Sequence, residues 1–348
     1  MSTRRSVSQH TSWMICGEAY RRNYIEGDKR PIGSAGKRGS AVDTAANKTL
    51  ECKMNTGELL PTKEVGAIAR AEIHSLKKRD VHLTHNEEVT GWLKTRAKLE
   101  TDAALMAEAY NDLVAPKIDP AGIQVRIEQR IPNTDITLLM FLDVVEKSGT
   151  IRDTKTKNRD PGQNAAVDSV QLATYAWGAH QAWGAWGAHQ EGTFSGPGVG
   201  GQVLDVLMPP TTRNGVRYKE YAACHGSDSQ ARALARIVET DYAIRQGVFP
   251  FAEPDSWKCT ADYCAYYHDC PGGRGVAPTF FGQAEVAQED IIPEVDEDQM
   301  PDFTVDEVAL RLTQLETDAA LMMAEAYNDI VAPKIDPAGD GDDPETAS

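Results

Sequence analysis

Two carboxylates and a lysine converge in the middle of this chain. Residues 138–145 (LLMFLDVV) are typical of a β-strand and contain Asp143. A turn-forming stretch follows, and residues 150–156 (TIRDTKT) form a predicted return strand. The return brings Asp153 beside Asp143, and Lys155 lies two residues on, hence on the same strand face as Asp153. Carboxylate oxygens suit Mg²⁺ or Mn²⁺, so the hairpin predicts a divalent-metal site. The competing interpretation is a solvated hairpin edge.

A predicted helix follows the hairpin and adds two polar side chains. Residues 164–175 have an amphipathic pattern, and the chain then repeats the pentapeptide WGAHQ at 177–181 and 186–190. Gln171 and Tyr175 lie four residues apart, hence on one helix face, in position to hold the lysine or a substrate phosphate. We interpret the WGAHQ repeat as a lengthened surface loop, because its glycines disfavour a continuous helix. The predicted helical stripe is Val167, Val170, Gln171, Thr174 and Tyr175.

In this order, these features resemble the PD-(D/E)xK nuclease superfamily, in particular its RecB-like branch. Asp143 matches the family's aspartate, Asp153-Thr154-Lys155 its D/E-x-K strand, and Gln171 with Tyr175 its Q-x-x-x-Y helix. The resemblance implies an α/β fold with a central mixed sheet flanked by helices. It also implies a metal-dependent DNA nuclease, of the exonuclease kind, in phage-type recombination or repair. In that family, Asp143, Asp153 and the Thr154 carbonyl would hold Mg²⁺ or Mn²⁺, and Lys155 would orient the attacking water.

Two positions depart from the family's pattern. The segment Gly39-Ser-Ala-Val-Asp43 has an aspartate where the family has a metal-ligating histidine, and Met140 stands where glycine is usual. Aspartate also ligates Mg²⁺ or Mn²⁺, so Asp43 is an expected ligand. The departures favour one alternative, a catalytically degenerate DNA-binding or scaffold protein that retains the nuclease fold. Residues 33–39 (GSAGKRG) lack a phosphate-loop ending, so we expect a basic loop leading into a helix from Ser40.

A cysteine cluster lies toward the end of the predicted domain. Cys259, Cys264 and Cys270 are separated by four and five residues, and a closed metal site needs a fourth ligand, for which Cys16 is the candidate. One N-terminal and three C-terminal cysteines resemble the iron–sulfur pattern of AddB-type and CRISPR-associated nucleases. The resemblance implies a 4Fe–4S cluster. Zn²⁺ with His268 as a ligand is the alternative, and thiols packed among aromatic rings are the third interpretation.

Charge divides the chain into two parts. The net charge is −16, yet residues 284–348 alone contain 19 acidic and two basic residues. The remainder is close to neutral, so we predict a nuclease domain at 1–283 and an acidic tail at 284–348, largely disordered. The tail repeats residues 99–122 at 315–339 and is able to form a helix at 315–332. Partners expected from the family are DNA and a recombination or repair protein.

Membrane association is not expected. The sequence contains no apolar run long enough to span a bilayer and no secretory apolar segment at its start, so we expect a cytoplasmic protein. Within 1–283 we expect a helical insertion at about 62–115, which includes a Thr84–Glu87 capping box, and a cysteine-rich closing segment at 257–273. The other predicted elements are helices at 8–24, 62–78, 84–115 and 228–248, and strands at 123–131, 201–208 and 218–224.

Overall fold

The computed structural model describes residues 3–183, 200–253 and 255–272. None of the helices within these ranges is both long and apolar enough to cross a membrane. In chain order the strands and α-helices are β1 Thr3–Ser6, α1 Val7–Ile15, α2 Gly17–Tyr20, α3 Ser34–Thr56, α4 Thr62–His74, α5 His85–Thr90, α6 Trp92–Leu113, β2 Pro120–Arg130, β3 Ile136–Glu146, β4 Ile151–Thr156, α7 Val170–Trp183, β5 Gln202–Met208, β6 Arg217–Ala223 and α8 Ser227–Arg245.

Within the described residues, six strands form one mixed sheet around β3. Strand β2 pairs antiparallel with nearly all of β3, from Pro120↔Glu146 to Arg130↔Thr137. On its other edge, β3 pairs in parallel with β1 at its start and antiparallel with β4 at its end. Strand β5 adds to β4 in parallel, and β6 adds to β5 antiparallel. Helices flank this sheet, which confirms the predicted α/β fold class.

Two helical layers supply most of the core. Helices α3, α4 and α6 pack together through buried residues such as Leu50, Ile73 and Met106, and this cluster reaches the sheet at Val144. Helices α7 and α8 contribute a second cluster around Leu138, Trp177 and Ile237. Burial of these side chains is the main term that stabilises the fold, at roughly 25 cal/mol per Å² of apolar surface.

Helix α3 begins earlier than the sequence indicates. The sequence predicts a loop at 33–39 and a helix from Ser40, but α3 starts at Ser34. Glycine is unfavourable inside a helix, and here close packing explains its presence. A Cβ atom at Gly39 would lie 2.8 Å from Thr156 Oγ1 in β4, so glycine permits the approach of α3 to β4. Asp43 follows one turn later on the same side of the helix.

The predicted helix 84–115 is divided at Gly91, whose φ of +86° ends α5 before α6 begins. The capping box of Thr84 and Glu87 is present. The helical pattern predicts Val89 and Leu93 on the buried face, but their exposed fractions are 76% and 72%. The break at Gly91 separates Val89 from α6, and Leu93 lies in the first turn of α6. Further along α6, Leu99, Ala103, Met106 and Tyr110 are buried as the pattern predicts, whereas Leu113, predicted on the same face, is 45% exposed.

The helix after the hairpin starts later and continues further than the sequence predicts. Turns occupy residues 163–168, α7 starts at Val170, and Val167 is exposed instead of lying on a helical stripe. The first WGAHQ copy lies inside α7, so our surface-loop interpretation is wrong for it. A Cβ at Gly178 would overlap the Met140 side chain, which shows that this glycine lets α7 pack against β3. The second copy, 186–190, lies outside the described residues.

The N-terminal segment differs from the prediction at two places. Strand β1 is absent from the sequence prediction, because residues 3–6 (TRRS) have no apolar alternation and their pairing with β3 alone defines the strand. The predicted helix 8–24 is interrupted at Cys16, which has extended backbone angles and caps α2. At the other end of the chain, residues 284–348, with the predicted helix at 315–332, lie outside the described residues.

Candidate active site

The β3–β4 hairpin brings Asp143 and Asp153 together. Its register pairs Val145 with Ile151 and Val144 with Arg152, so the next step along both strands pairs the two aspartates. The turn needs a glycine at position 149, where φ is +83°. The backbone N–H of Thr154 donates a hydrogen bond to Asp143 Oδ2 at 3.2 Å. The side chains of both acids are thus held by the geometry of one hairpin.

Lys155 binds the carboxylate of Asp153. Its ammonium nitrogen lies 2.9 Å from Oδ1 and 2.8 Å from Oδ2, and only 1% of Asp153 is exposed. Burial opposes the charge of Lys155, but the carboxylates of Asp153 and Asp143 outweigh burial and raise the pKa of the ammonium. Lys155 therefore remains charged at neutral pH, with part of its side chain exposed to the adjoining cavity.

Asp43 comes to the same place from helix α3. Burial raises the pKa of its carboxyl group, Lys155 opposes this shift, and Asp153 adds to it. Asp43 therefore interacts electrostatically with both hairpin side chains. Asn47, one turn further along α3, donates a hydrogen bond to Asp43 Oδ2 at 3.3 Å.

The crowding of acids has its largest effect on Asp143. Burial, and then the Asp153 carboxylate, raise the pKa of Asp143 to about 7, while Lys155 opposes this shift. Three carboxylates therefore share one ammonium in a partly buried site. The donors are hard oxygen atoms, and a divalent cation would relieve their repulsion, so the residues fit Mg²⁺ or Mn²⁺. No group of three or more His, Cys, Asp and Glu side chains in the described residues already stands in metal-ligand geometry.

Gln171 and Tyr175 join the site from helix α7. The Gln171 amide donates a hydrogen bond to Tyr175 Oη at 2.7 Å. Burial raises the pKa of the Tyr175 hydroxyl, the Gln171 bond lowers it, and Asp153 and Asp143 raise it further. The hydroxyl thus stays protonated near the carboxylates, where it is available as a donor.

Two residues without a signal in the sequence also support the hairpin. Gln124 in β2 lies opposite Asp143, has a φ of +49°, and donates a 3.4 Å hydrogen bond to Asp143 Oδ1. Left-handed backbone at a non-glycine residue costs free energy and often marks functional sites. Tyr110 of α6 is buried and hydrogen-bonds the Thr154 side chain. Neither hydrogen bond was predicted from the sequence, because both depend on contacts between distant elements.

A cavity of about 760 Å³ opens beside the carboxylates. The end of β4, with Asp153 and Lys155, and the adjoining Lys157 form one wall, and the turns before α7 form the other. Asp168, which the sequence did not single out, lies in that second wall. The late start of α7 therefore gives the site its opening.

The four predicted cluster cysteines line one larger cavity of about 1390 Å³. Cys16 reaches it from the start of α2, where its sulfur accepts a 3.4 Å hydrogen bond from the backbone N–H of Ala19. Burial raises the pKa of the Cys264 thiol, and the neighbouring thiols of Cys16, Cys270 and Cys259 raise it further. No set of three or more thiols in the described residues stands in metal-ligand geometry. The structure therefore supports a 4Fe–4S cluster only through the closeness of the four cysteines.

Comparison with known families defines the class of protein. The family model of the PD-(D/E)XK nuclease superfamily matches residues 4–271. This match covers most of the chain and includes the hairpin, the three acids and the four cysteines of the predicted cluster. The chain belongs to the PD-(D/E)XK nuclease superfamily, whose members are nucleases that hydrolyse phosphodiester bonds.

Other comparisons are weaker. None of the curated proteins compared with the chain matches it. The crystal structure of SSO0001 aligns with 16% sequence identity over 44% of this chain and 60% of that chain, with a TM-score of 0.28. The family assignment therefore rests on the family model.

Proposed function

We propose that this protein is a metal-dependent DNA nuclease, an exonuclease of the RecB-like kind. One observation carries the proposal: Asp143, Asp153, Asp43 and Lys155 interact electrostatically where β3, β4 and α3 meet. Such convergence of acids and a lysine is costly for stability alone, so its presence supports a catalytic role. A function in phage-type recombination or repair, with a protein partner of that process, follows from the family resemblance.

The carboxylates of Asp143, Asp153 and Asp43, with the Thr154 carbonyl, would hold one or two Mg²⁺ or Mn²⁺ ions. A bound divalent cation polarises the scissile phosphate and lowers the pKa of water. A divalent cation would compete with the proton for Asp143, whose pKa is raised to about 7, so binding of the cation should weaken as the pH falls below neutral.

Lys155 supplies the positive charge of the proposed site. Its ammonium is ion-paired with the Asp153 carboxylate and borders the cavity. There it would orient the attacking water or stabilise negative charge on the phosphate. Tyr175, held by Gln171, would donate its hydroxyl hydrogen to a phosphate oxygen of the bound strand. The departure at Met140 is accounted for by packing, because Gly178 provides the space for its side chain.

We also propose that Cys16, Cys259, Cys264 and Cys270 hold a 4Fe–4S cluster, with Zn²⁺ as the alternative. Their shared cavity and the effect of three thiols on the Cys264 pKa support the proposal. Iron and zinc content of protein purified without oxygen tests it. Stoichiometric zinc selects the alternative, and a protein with neither metal leaves the cysteines as packing residues.

The nuclease proposal is tested by incubating linear and circular DNA with Mg²⁺, Mn²⁺ or EDTA. We expect cleavage of linear DNA with either metal and none with EDTA. Lys155→Ala should abolish cleavage. Lys147→Ala is the matched control, because Lys147 lies in the turn of the same hairpin, where it pairs with the exposed Asp119. Cleavage of circular DNA would identify an endonuclease, and folded protein inert with both metals would favour the DNA-binding scaffold.

A further inference from the structure

We propose that Lys157, Arg159, Lys258 and Trp257 form a binding track for an unpaired DNA strand beside the candidate active site. The proposal rests on the nuclease function above and adds the form of DNA that the enzyme holds. It gives the loop after β4 and the cysteine-rich segment a role in DNA binding, which is separate from the roles proposed for the hairpin and for the four cysteines.

The track is continuous with the proposed catalytic centre. The cavity beside Asp153 and Lys155 and the larger cavity beside the cysteines share Lys157 and Pro161 in their walls. Lys157 directly follows the last residue of β4, so it lies two positions from Lys155. A strand whose phosphate lies at the carboxylates therefore reaches the larger cavity within a few nucleotides.

The loop that carries Lys157 and Arg159 is fixed on both sides. Asn158 accepts a 2.7 Å hydrogen bond from the Arg38 guanidinium, which is buried at the base of α3. Asp160 is bound by Lys219 and by the Tyr221 hydroxyl of β6. Lys157 and Arg159, which alternate with these two anchors, are exposed, so the loop presents their cationic ends in a defined place.

The cations of the track have no acidic partner within the part of the chain that the structure describes. No ion pair there involves Lys157, Arg159 or Lys258, whereas Arg30 in the same cavity is neutralised by Asp28 and Asp269. Burial, and then repulsion from Lys157, lower the pKa of Lys258. Neighbouring ammonium groups that repel one another are stabilised by an anion, and a phosphate backbone supplies one at every nucleotide.

The adjacent aromatic rings determine which form of DNA fits. Trp257 and Tyr263 are 61% and 51% exposed, although aromatic side chains are usually buried. The rings meet edge to face at 5.1 Å, and Lys258 Nζ lies 4.4 Å from the Trp257 ring centroid. An exposed aromatic ring beside a cation offers a stacking surface for a base. Bases in a duplex are already stacked on each other, so only an unpaired strand can use it.

Binding is measured by fluorescence anisotropy in EDTA, so that cleavage plays no part. The probes are a labelled oligothymidylate, an abasic oligonucleotide of equal length and a duplex. Trp257→Ala should weaken oligothymidylate binding roughly tenfold and leave the affinity for the abasic probe unchanged, since only the oligothymidylate has bases to stack. Tyr242→Ala is the control, because Tyr242 is also exposed, at 66%, but lies on α8 outside this cavity.

The cationic part of the track has its own readout. Replacing both Lys157 and Lys258 with glutamine should weaken binding of the oligothymidylate and of the abasic probe to the same extent. The slope of log K against log salt should fall by about 0.7 for each phosphate that the variant no longer neutralises. Trp257→Phe keeps a ring and should retain most of the affinity, which separates stacking from loss of structure.

The outcomes distinguish the track from the nuclease function. Equal effects of Trp257→Ala on the oligothymidylate, the abasic probe and the duplex would overturn the track, whether or not the protein cuts DNA. A protein that shows the expected base-dependent loss but cuts no DNA keeps the track and rejects the catalytic proposal. Wild-type affinity for oligothymidylate in Trp257→Ala would also reject the track.

Discussion

Substitution of Gly39 by alanine tests how α3 positions Asp43. The added Cβ would lie 2.8 Å from Thr156 Oγ1, a contact that neither atom can relieve without movement of the helix or of the threonine. Overpacking of this kind costs roughly 1–3 kcal/mol. Alanine is also more favourable than glycine in a helix by about 1 kcal/mol. The net loss of stability is therefore expected to be small, on the order of 0–2 kcal/mol.

The effect on activity should be much larger than the effect on stability. A displacement of about 1 Å in a catalytic group can cost on the order of a hundredfold in rate. We expect Gly39→Ala to cleave DNA far more slowly while its unfolding temperature changes by only a few degrees. Thermal unfolding and single-turnover cleavage measure the two quantities on the same sample.

A second substitution provides the rescue and the control. In Gly39→Ala with Thr156→Ala the nearest remaining atom of residue 156 is its Cβ, at 4.0 Å, so cleavage should return toward the wild-type rate. Gly36→Ala in the same helix meets only the flexible Ile32 side chain, at 3.1 Å, and should cleave normally. If Gly39→Ala cleaves like wild type, or if the double variant does not recover, the packing of α3 on β4 does not position Asp43.

Three further substitutions test the charges and thiols. The pKa of Asp143 is raised to about 7 in the folded protein, so in EDTA the free energy of unfolding should fall as the pH rises from about 4 to 7, because the folded state loses a proton that it binds more tightly than the unfolded state does. Added Mg²⁺ should raise the unfolding temperature mainly above pH 7, and Asp143→Asn should remove both pH effects. Arg152→Met leaves Glu146 and the fully buried Asp205 without their guanidinium, so denaturant unfolding should show a loss of about 3–5 kcal/mol, against less than about 0.5 kcal/mol for Lys147→Met. Cys16→Ser should reduce bound iron, measured by metal analysis, as fully as Cys264→Ser; equal iron in Cys16→Ser and wild type would exclude Cys16 as a ligand.

The hairpin was predictable from sequence because its geometry is local. Asp143 and Asp153 are separated by ten positions across a glycine turn, and strand alternation places Lys155 with Asp153. The same locality explains the capping box at Thr84, whose two partners lie one turn apart. The fold class was predicted from the family resemblance that these local motifs carry.

Features that depend on distant contacts were not predictable. The glycines at positions 39 and 178 disfavour a helix by propensity, yet each permits a helix to pack against the sheet, and this packing outweighs the propensity. Strand β1 exists because β3 offers it an edge. The left-handed backbone of Gln124 and its bond to Asp143 likewise depend on the pairing of β2 with β3, which the residue type does not encode.

The central claim is that the Asp153 carboxylate belongs to a metal-dependent nuclease site. The most direct measurement is the single-turnover rate of linear DNA cleavage with Mn²⁺ by wild type, Asp153→Asn and the matched control Asp119→Asn, whose carboxylate is exposed beside Lys147. We predict that Asp153→Asn lowers the rate by about a hundredfold or more, equivalent to at least about 2.7 kcal/mol, and that Asp119→Asn leaves it unchanged. Equal rates for folded wild type and Asp153→Asn would contradict the claim.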